Sequence, residues 1–162
     1  GASARVLRAA EVNVTLYIVR GLPGAGKSTL ARVLQIGTGL RIWEADDYPG
    51  LYEAGVFKGK LIAQAHEWCQ KGVRESLENS VGAIVSNTSV HRWEFQPYLD
   101  MAARTKATVH VITVFDGGLS DAELSERNTH GVPLKTIARM RASFEHDWRT
   151  ADPRAPWDRS SK

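Results

Sequence analysis

The nine residues Gly21-Leu22-Pro23-Gly24-Ala25-Gly26-Lys27-Ser28-Thr29 constrain this chain more than any other stretch. They fit G-x-x-x-x-G-K-[ST] at every fixed position, between a run read as an apolar β-branched strand (12–19) and one read as a helix (27–35). The physical logic is direct. Gly21, Gly24 and Gly26 let the loop, which also holds Pro23, Ala25 and Thr29, curl so that successive backbone N–H groups turn inward as an anion nest. The helix N-terminus adds partial positive charge. Lys27 then reaches the β- and γ-phosphates, and the Ser28 hydroxyl ligates Mg²⁺. A dinucleotide-binding loop does not fit, because Thr29 stands where its third glycine belongs. The expectation is a nucleoside triphosphate site over residues 21–29.

The chain has 162 residues, 43% hydrophobic and 24% charged, enough for one soluble globular domain with a sizeable core. A net charge of +3 permits a polyanionic partner without demanding one. The single cysteine, Cys69, leaves no intrachain disulfide and lies in a helical apolar pattern, as a buried structural thiol would. No apolar run approaches the length of a membrane span, and residues 1–11 hold Arg5, Arg8 and Glu11 but no apolar h-region. A cytoplasmic setting with no membrane association is the expectation.

Apolar runs alternate with helical patterns, which implies parallel strands joined by helical crossovers. The spacing predicts strands over 12–19, 40–43, 82–86 and 108–115, and helices over 27–35, 60–79, 97–104, 120–127 and 133–148. The domain reading is a flexible segment over 1–11, one domain over 12–150 and a loose tail over 151–162. In the 60–79 helix Leu61, Ala65, Trp68 and Gly72 line one side, and His66, near that side, reads as a core histidine before an active-site one. Pro133 suits the first turn of the last helix, where Leu134, Ile137, Phe144 and Trp148 recur at helical spacing as core. Residues 127–141 carry Arg127, Lys135, Arg139 and Arg141 and no acid. Such a segment fits a solvated face, a phosphate-handling lid or a nucleic-acid groove.

After the second strand comes Trp43-Glu44-Ala45-Asp46-Asp47-Tyr48. Carboxylates leaving the C-terminal end of a parallel strand enter the crevice where doubly wound sheets bind ligands. One of them could accept the proton of an attacking hydroxyl, or the run could simply cap a helix. The third strand runs into Ser86-Asn87-Thr88-Ser89, with no carboxylate before Glu94, which counts against an ATPase motor. The missing N-K-x-D counts against a GTPase switch. Asp116 lacks the second Asp that an aspartyl-phosphatase strand requires.

With these residues assembled, the chain resembles the P-loop polynucleotide 5′-kinases: the kinase half of the phage polynucleotide kinases and, more nearly, the kinase-like module of the Nedd4-binding proteins. The resemblance covers about residues 14–148. It rests on the P-loop, Asp46-Asp47-Tyr48, Ala65-His66-Glu67-Trp68, Ser86 to Ser89, Trp93-Glu94-Phe95-Gln96-Pro97-Tyr98 and Arg127-Asn128-Thr129-His130-Gly131-Val132-Pro133. It implies a three-layer α/β/α P-loop NTPase fold with a mostly parallel, doubly wound sheet. ATP and Mg²⁺ are the implied cofactors, and DNA or RNA the implied substrate. Asp46 would be the general base, with Lys27 and Arg127 on the transferring phosphate. Asp47, Asn87, Thr88, Ser89, His130, Lys135 and Arg139 would lie on the substrate side. Three positions depart from the phage pattern: Pro49 replaces an arginine, Asn87 an Asp, and His130 stands nearest to a second lid arginine. The implied reaction is transfer to a polynucleotide 5′-OH; a 5-hydroxymethyl pyrimidine within DNA, or a sugar or nucleoside, are the alternative acceptors. A nucleotide-binding module without transfer is disfavoured by the Asp pair.

Overall fold

Four parallel strands in the order β2–β5–β1–β6 make the central sheet of the computed structural model, which describes residues 13–159. The strands are β1 (Thr15–Arg20), β2 (Ile42–Trp43), β5 (Ala83–Ser86) and β6 (Thr108–Thr113). Between β2 and β5 lies a two-residue-stranded hairpin, β3 (Tyr52–Glu53) and β4 (Val56–Phe57). The helices are α1 (Lys27–Thr38), α2 (Ile62–Glu78), α3 (Arg92–Thr105), α4 (Asp121–Arg127) and α5 (Leu134–Ser143). The segment expected to be flexible, residues 1–11, lies outside the described residues.

The period-2 alternation of β1 sorts its side chains between two layers. Leu16 and Ile18 join Trp43, Cys69, Val73, Val85 and Phe95 in the core under α2 and α3. Val19 joins Ala31 and Ile84 under α1, with Tyr17 and Ile42 beside them. The sheet is thus covered on both faces, the expected α/β/α sandwich. Cys69 is buried, as its pattern predicted. Gly72 has a packing reason: a Cβ there would lie 2.2 Å from the Trp43 ring. β1 runs out to β2 past β5, whereas β5 runs out to β6 past β1. The crevice at the C-terminal ends of β1 and β5 is therefore the switch point where such sheets bind ligands.

Two predicted boundaries shift and one unpredicted element is present, each for an identifiable reason. α3 starts at Arg92, not residue 97, because the Glu94 carboxylate accepts from the His91 N–H at 2.7 Å and caps the helix early; Pro97 is carried inside it. α5 stops at Ser143 instead of residue 148, because the Glu145 N–H donates to the Val90 carbonyl (2.9 Å) and the Glu145 carbonyl accepts from Arg20 (2.9 Å). The β3–β4 hairpin, which no strand run announced, turns on Ala54 (φ 50°) and Gly55 (φ 79°), the pair of positive φ values that a two-residue hairpin loop requires. Over residues 151–159 of the tail, Asp152 pairs with Arg154 and Arg159, and Trp157 packs edge-on against Phe115 at 4.6 Å.

Candidate active site

β1 delivers the P-loop into the switch-point crevice, where the Gly21 N–H donates to the Thr88 carbonyl at 3.2 Å. Gly24, at φ 78°, is required because a Cβ would sit 2.3 Å from the Leu124 carbonyl of α4. Gly26, at φ 108°, is the α1 N-cap and borders open space. Ala25 packs among Leu22 and Leu124 behind the loop, while Pro23, Gly24, Gly26, Lys27, Ser28 and Thr29 line a cleft of about 770 Å³. Lys27 folds back to donate to the Leu22 carbonyl at 3.0 Å. Burial pulls its ammonium down to about 8, against the raising influence of Asp46 and Glu44.

The second wall is the turn after β2. Glu44 is still extended, and a 3₁₀ turn, Ala45–Asp47, follows. Asn87 fixes that turn: its Oδ1 accepts from the Ala45 N–H at 3.0 Å, and its Nδ2 points at the Cys69 sulfur. The Ser28 hydroxyl makes a long contact, 3.5 Å, to Glu44. Asp46 lines the cleft and Asp47 does not. Both Asp46 oxygens are held. The Tyr52 hydroxyl donates to Oδ1 at 3.1 Å, and His130 Nε2 lies 3.4 Å from Oδ2. The Tyr52 and His130 rings stack at 5.3 Å, so hairpin and lid meet over this carboxylate. Burial, and then the Asp46 charge, pushes the Tyr52 phenol up to about 12, which keeps it a donor. Burial with the neighbouring Asp47 and Asp46 charges raises Glu44, and burial with Asp46 raises Asp47.

The third wall is the lid formed by the end of α4, residues 128–133 and α5. Arg127 and Arg139 line the cleft, exposed, and among the described residues neither has an ion-pair partner.

Several sequence-based expectations move. Ser89 is buried with φ 43° and presents its carbonyl to Arg20, so it does not line the cleft as expected; Thr88 does. Lys135 is exposed outside the cleft, one helical step away from Thr136, which lines it. Arg141, partly exposed, is committed within the fold: it bridges Asp116 and Asp121 and donates to the Leu119 carbonyl, bolting α5 to the start of α4. His66 is a cleft residue, half-buried, and not a core histidine. Tyr52 was missed because nothing in the sequence announced the hairpin. Glu44 was visible only as one acid in a run. Arg20 gave no sign of being fully buried.

The chain is similar to known proteins over most of its length. A family model described as an AAA domain matches residues 16–146, from β1 past the lid. The chain is 35% identical over 139 residues to NEDD4-binding protein 2 of Homo sapiens, covering 83% of this chain and 8% of that protein. It is 27% identical over 142 residues to 2′,3′-cyclic-nucleotide 3′-phosphodiesterase of Rattus norvegicus, covering 83% and 32% respectively. The chain therefore spans less than a third of either relative's length. Among solved structures, the fold superposes on a chain of the Pnkp1/Rnl/Hen1 RNA repair complex with a TM-score of 0.63 at 19% identity, covering 78% of this chain and 42% of that one. The chain belongs to the AAA-domain family and has the α/β P-loop NTPase fold.

Proposed function

We propose that this domain transfers the γ-phosphoryl group of ATP to a hydroxyl of a nucleic acid, a polynucleotide 5′-OH. The observation that carries the reading is Asp46: a carboxylate held by two partners, in the same cleft as Lys27 and Ser28. The residues present suit a triphosphate with its metal. Gly26 leaves open space at the helix N-terminus, Lys27 holds a charge that burial disfavours, and two lid arginines have no ion-pair partner among the described residues. Ser28 would hold Mg²⁺, with its hydroxyl proton directed at Glu44. That ion, when bound, supplies positive charge to the phosphate oxygens.

The rest falls to the chain's own side chains. The P-loop amides and Lys27 fix the triphosphate, and Arg127 with Arg139 meets the equatorial oxygens of the transferring group. Tyr52 and His130 hold the Asp46 carboxylate in one orientation. The acceptor O–H gives its proton to Asp46 as its oxygen bonds to the γ-phosphorus, and the bond from that phosphorus to the β–γ bridging oxygen breaks to release ADP. The nucleic-acid acceptor is supported by the R-N-x-H-G-V-P run at residues 127–133, by the net charge of +3 and by the exposed lid arginines Arg127 and Arg139.

The test is γ-labelled ATP offered with 5′-OH DNA, 5′-OH RNA, hydroxymethyluracil-containing DNA, nucleosides and sugars. Label should enter a 5′-OH oligonucleotide and vanish with Lys27→Ala. Label entering only nucleosides or sugars would refute the acceptor, and hydrolysis with no transfer to anything would refute the kinase.

A further inference from the structure

Asp46 divides the cleft into two chemically different ends. The P-loop, Arg127 and Arg139 give one end its donors and charge. The other is walled by Tyr52 and Phe57 from the hairpin and by Ile62 and His66 from the first turns of α2. Phe57 is 50% exposed and Ile62 36% exposed. We infer that this second end is a shelf for the nucleobase of the nucleotide carrying the acceptor hydroxyl, an inference that rests on the phosphotransfer reading above.

The wall's chemistry selects the ligand. A sugar or polyol acceptor presents hydroxyls, and this wall has few groups to meet them, since the Tyr52 hydroxyl is already committed to Asp46. A base presents a π-face, which aromatic and aliphatic side chains accept whatever its identity. The rings are also fixed in place. Tyr52 stacks on His130 at 5.3 Å and meets Phe57 at 5.5 Å, so the shelf is anchored to the residue that holds Asp46. A base resting there is held equally before and during transfer, so the shelf acts on acceptor binding rather than on the chemical step. His66 makes no hydrogen bond with another described residue, and its ring can address a base edge. The shelf therefore reads the presence of a base more strongly than its identity.

The experiment compares two 5′-OH oligonucleotides that differ only in the terminal nucleotide, one intact and one abasic. Transfer from labelled ATP gives KM and kcat for each, and isothermal titration without ATP gives Kd for each. Stacking of one base predicts a KM and a Kd about fivefold to a hundredfold lower for the intact strand, with kcat similar. Phe57→Ala and, separately, Ile62→Ser should close that gap, bringing the intact strand to the abasic value. Phe57 is half exposed on the hairpin and Ile62 sits on the first turn of α2, so neither change removes a core side chain. A gap under twofold in the unmodified protein, or one that survives both substitutions, overturns the shelf. No label on either strand overturns the kinase reading alone when the titration still separates them. A titration that does not separate them overturns the shelf whatever the label shows.

Discussion

Lys27→Met tests whether the phosphate-binding charge is held at a cost to the fold. Burial lowers the Lys27 ammonium from its ordinary 10.5 to about 8. At about 1.4 kcal/mol per pH unit, that gap corresponds to roughly 3 kcal/mol of folding free energy lost while both folded and unfolded chains carry the proton. The sign follows from the direction of the shift. Below pH 8 the full cost applies. Between about 8 and 10.5 the folded protein sheds the proton that the unfolded chain keeps, so stability rises with pH. Methionine fills similar space without the charge but loses the hydrogen bond to the Leu22 carbonyl, worth about 1 kcal/mol. The expected net gain at pH 7 is about 2 kcal/mol, roughly 4–8 °C in Tm for a chain of this size. Urea unfolding of both proteins at pH 7, 8.5 and 10 is the assay, with Mg²⁺–ATP added as a second arm. The difference should shrink across the series, and nucleotide should stabilise only the lysine protein. A methionine variant no more stable at pH 7, or a difference that does not change with pH, would refute the argument.

Asp46→Asn should lower turnover about 10²- to 10⁴-fold with ATP affinity nearly unchanged, and Asp47→Asn should cost less, as measured by turnover at saturating acceptor beside an ATP titration. Arg127→Ala should lower kcat more than it raises acceptor KM, since its contact strengthens as the phosphoryl group moves. Arg139→Ala should reduce the log–log salt slope of single-strand binding by about 0.7, the share of one lost phosphate contact. Arg141→Ala should leave that slope where it is and destabilise the fold by about 2 kcal/mol, read by urea unfolding, because its guanidinium serves Asp116 and Asp121.

What was legible in the sequence is what depends on neighbours in the chain. The P-loop keeps its phosphate donors within nine consecutive residues, and the alternation of β1 is set by pleat geometry alone. The acidic run after β2 could be placed because a carboxylate just past a parallel strand enters that crevice; the choice of Asp46 within it is what the resemblance implied. What was not legible depends on partners far off in sequence. The helical spacing of Leu134, Ile137, Phe144 and Trp148 is real, yet the helix ends at Ser143 because Arg20, 125 positions before Glu145, takes that residue's carbonyl. Arg141 looked like a free cation only while Asp116 and Asp121 were out of view. His66 obeyed an apolar period, but the hairpin that opens a cleft beside it carries no strand-length run.

Arg20 explains why the two ends of the cleft differ mechanically as well as chemically. It is fully buried and makes four hydrogen bonds, to the carbonyls of Ser89, Val90 and Glu145 and to the Thr113 hydroxyl. Its guanidinium lies over the Phe95 and Phe144 rings at 5.1 and 4.2 Å. Burial lowers it to about 10, opposed by Glu145 and Glu94, so it stays charged at neutral pH. This one side chain ties the strand end before the P-loop to the loop after β5, to β6 and to the segment after α5. At the other end of the lid, the Leu124 carbonyl closes on Gly24. The phosphate end is therefore cross-braced through a buried charge, and a preorganised array of donors is what stabilising a transferring phosphoryl group demands. The hairpin end is held by less: two two-residue strands, the Tyr52–Asp46 hydrogen bond and a ring stack on His130. On the proposed function, charge would develop at the braced end and the acceptor would enter at the lightly tethered one, so acceptors of varied sequence would be taken without loosening the site of transfer.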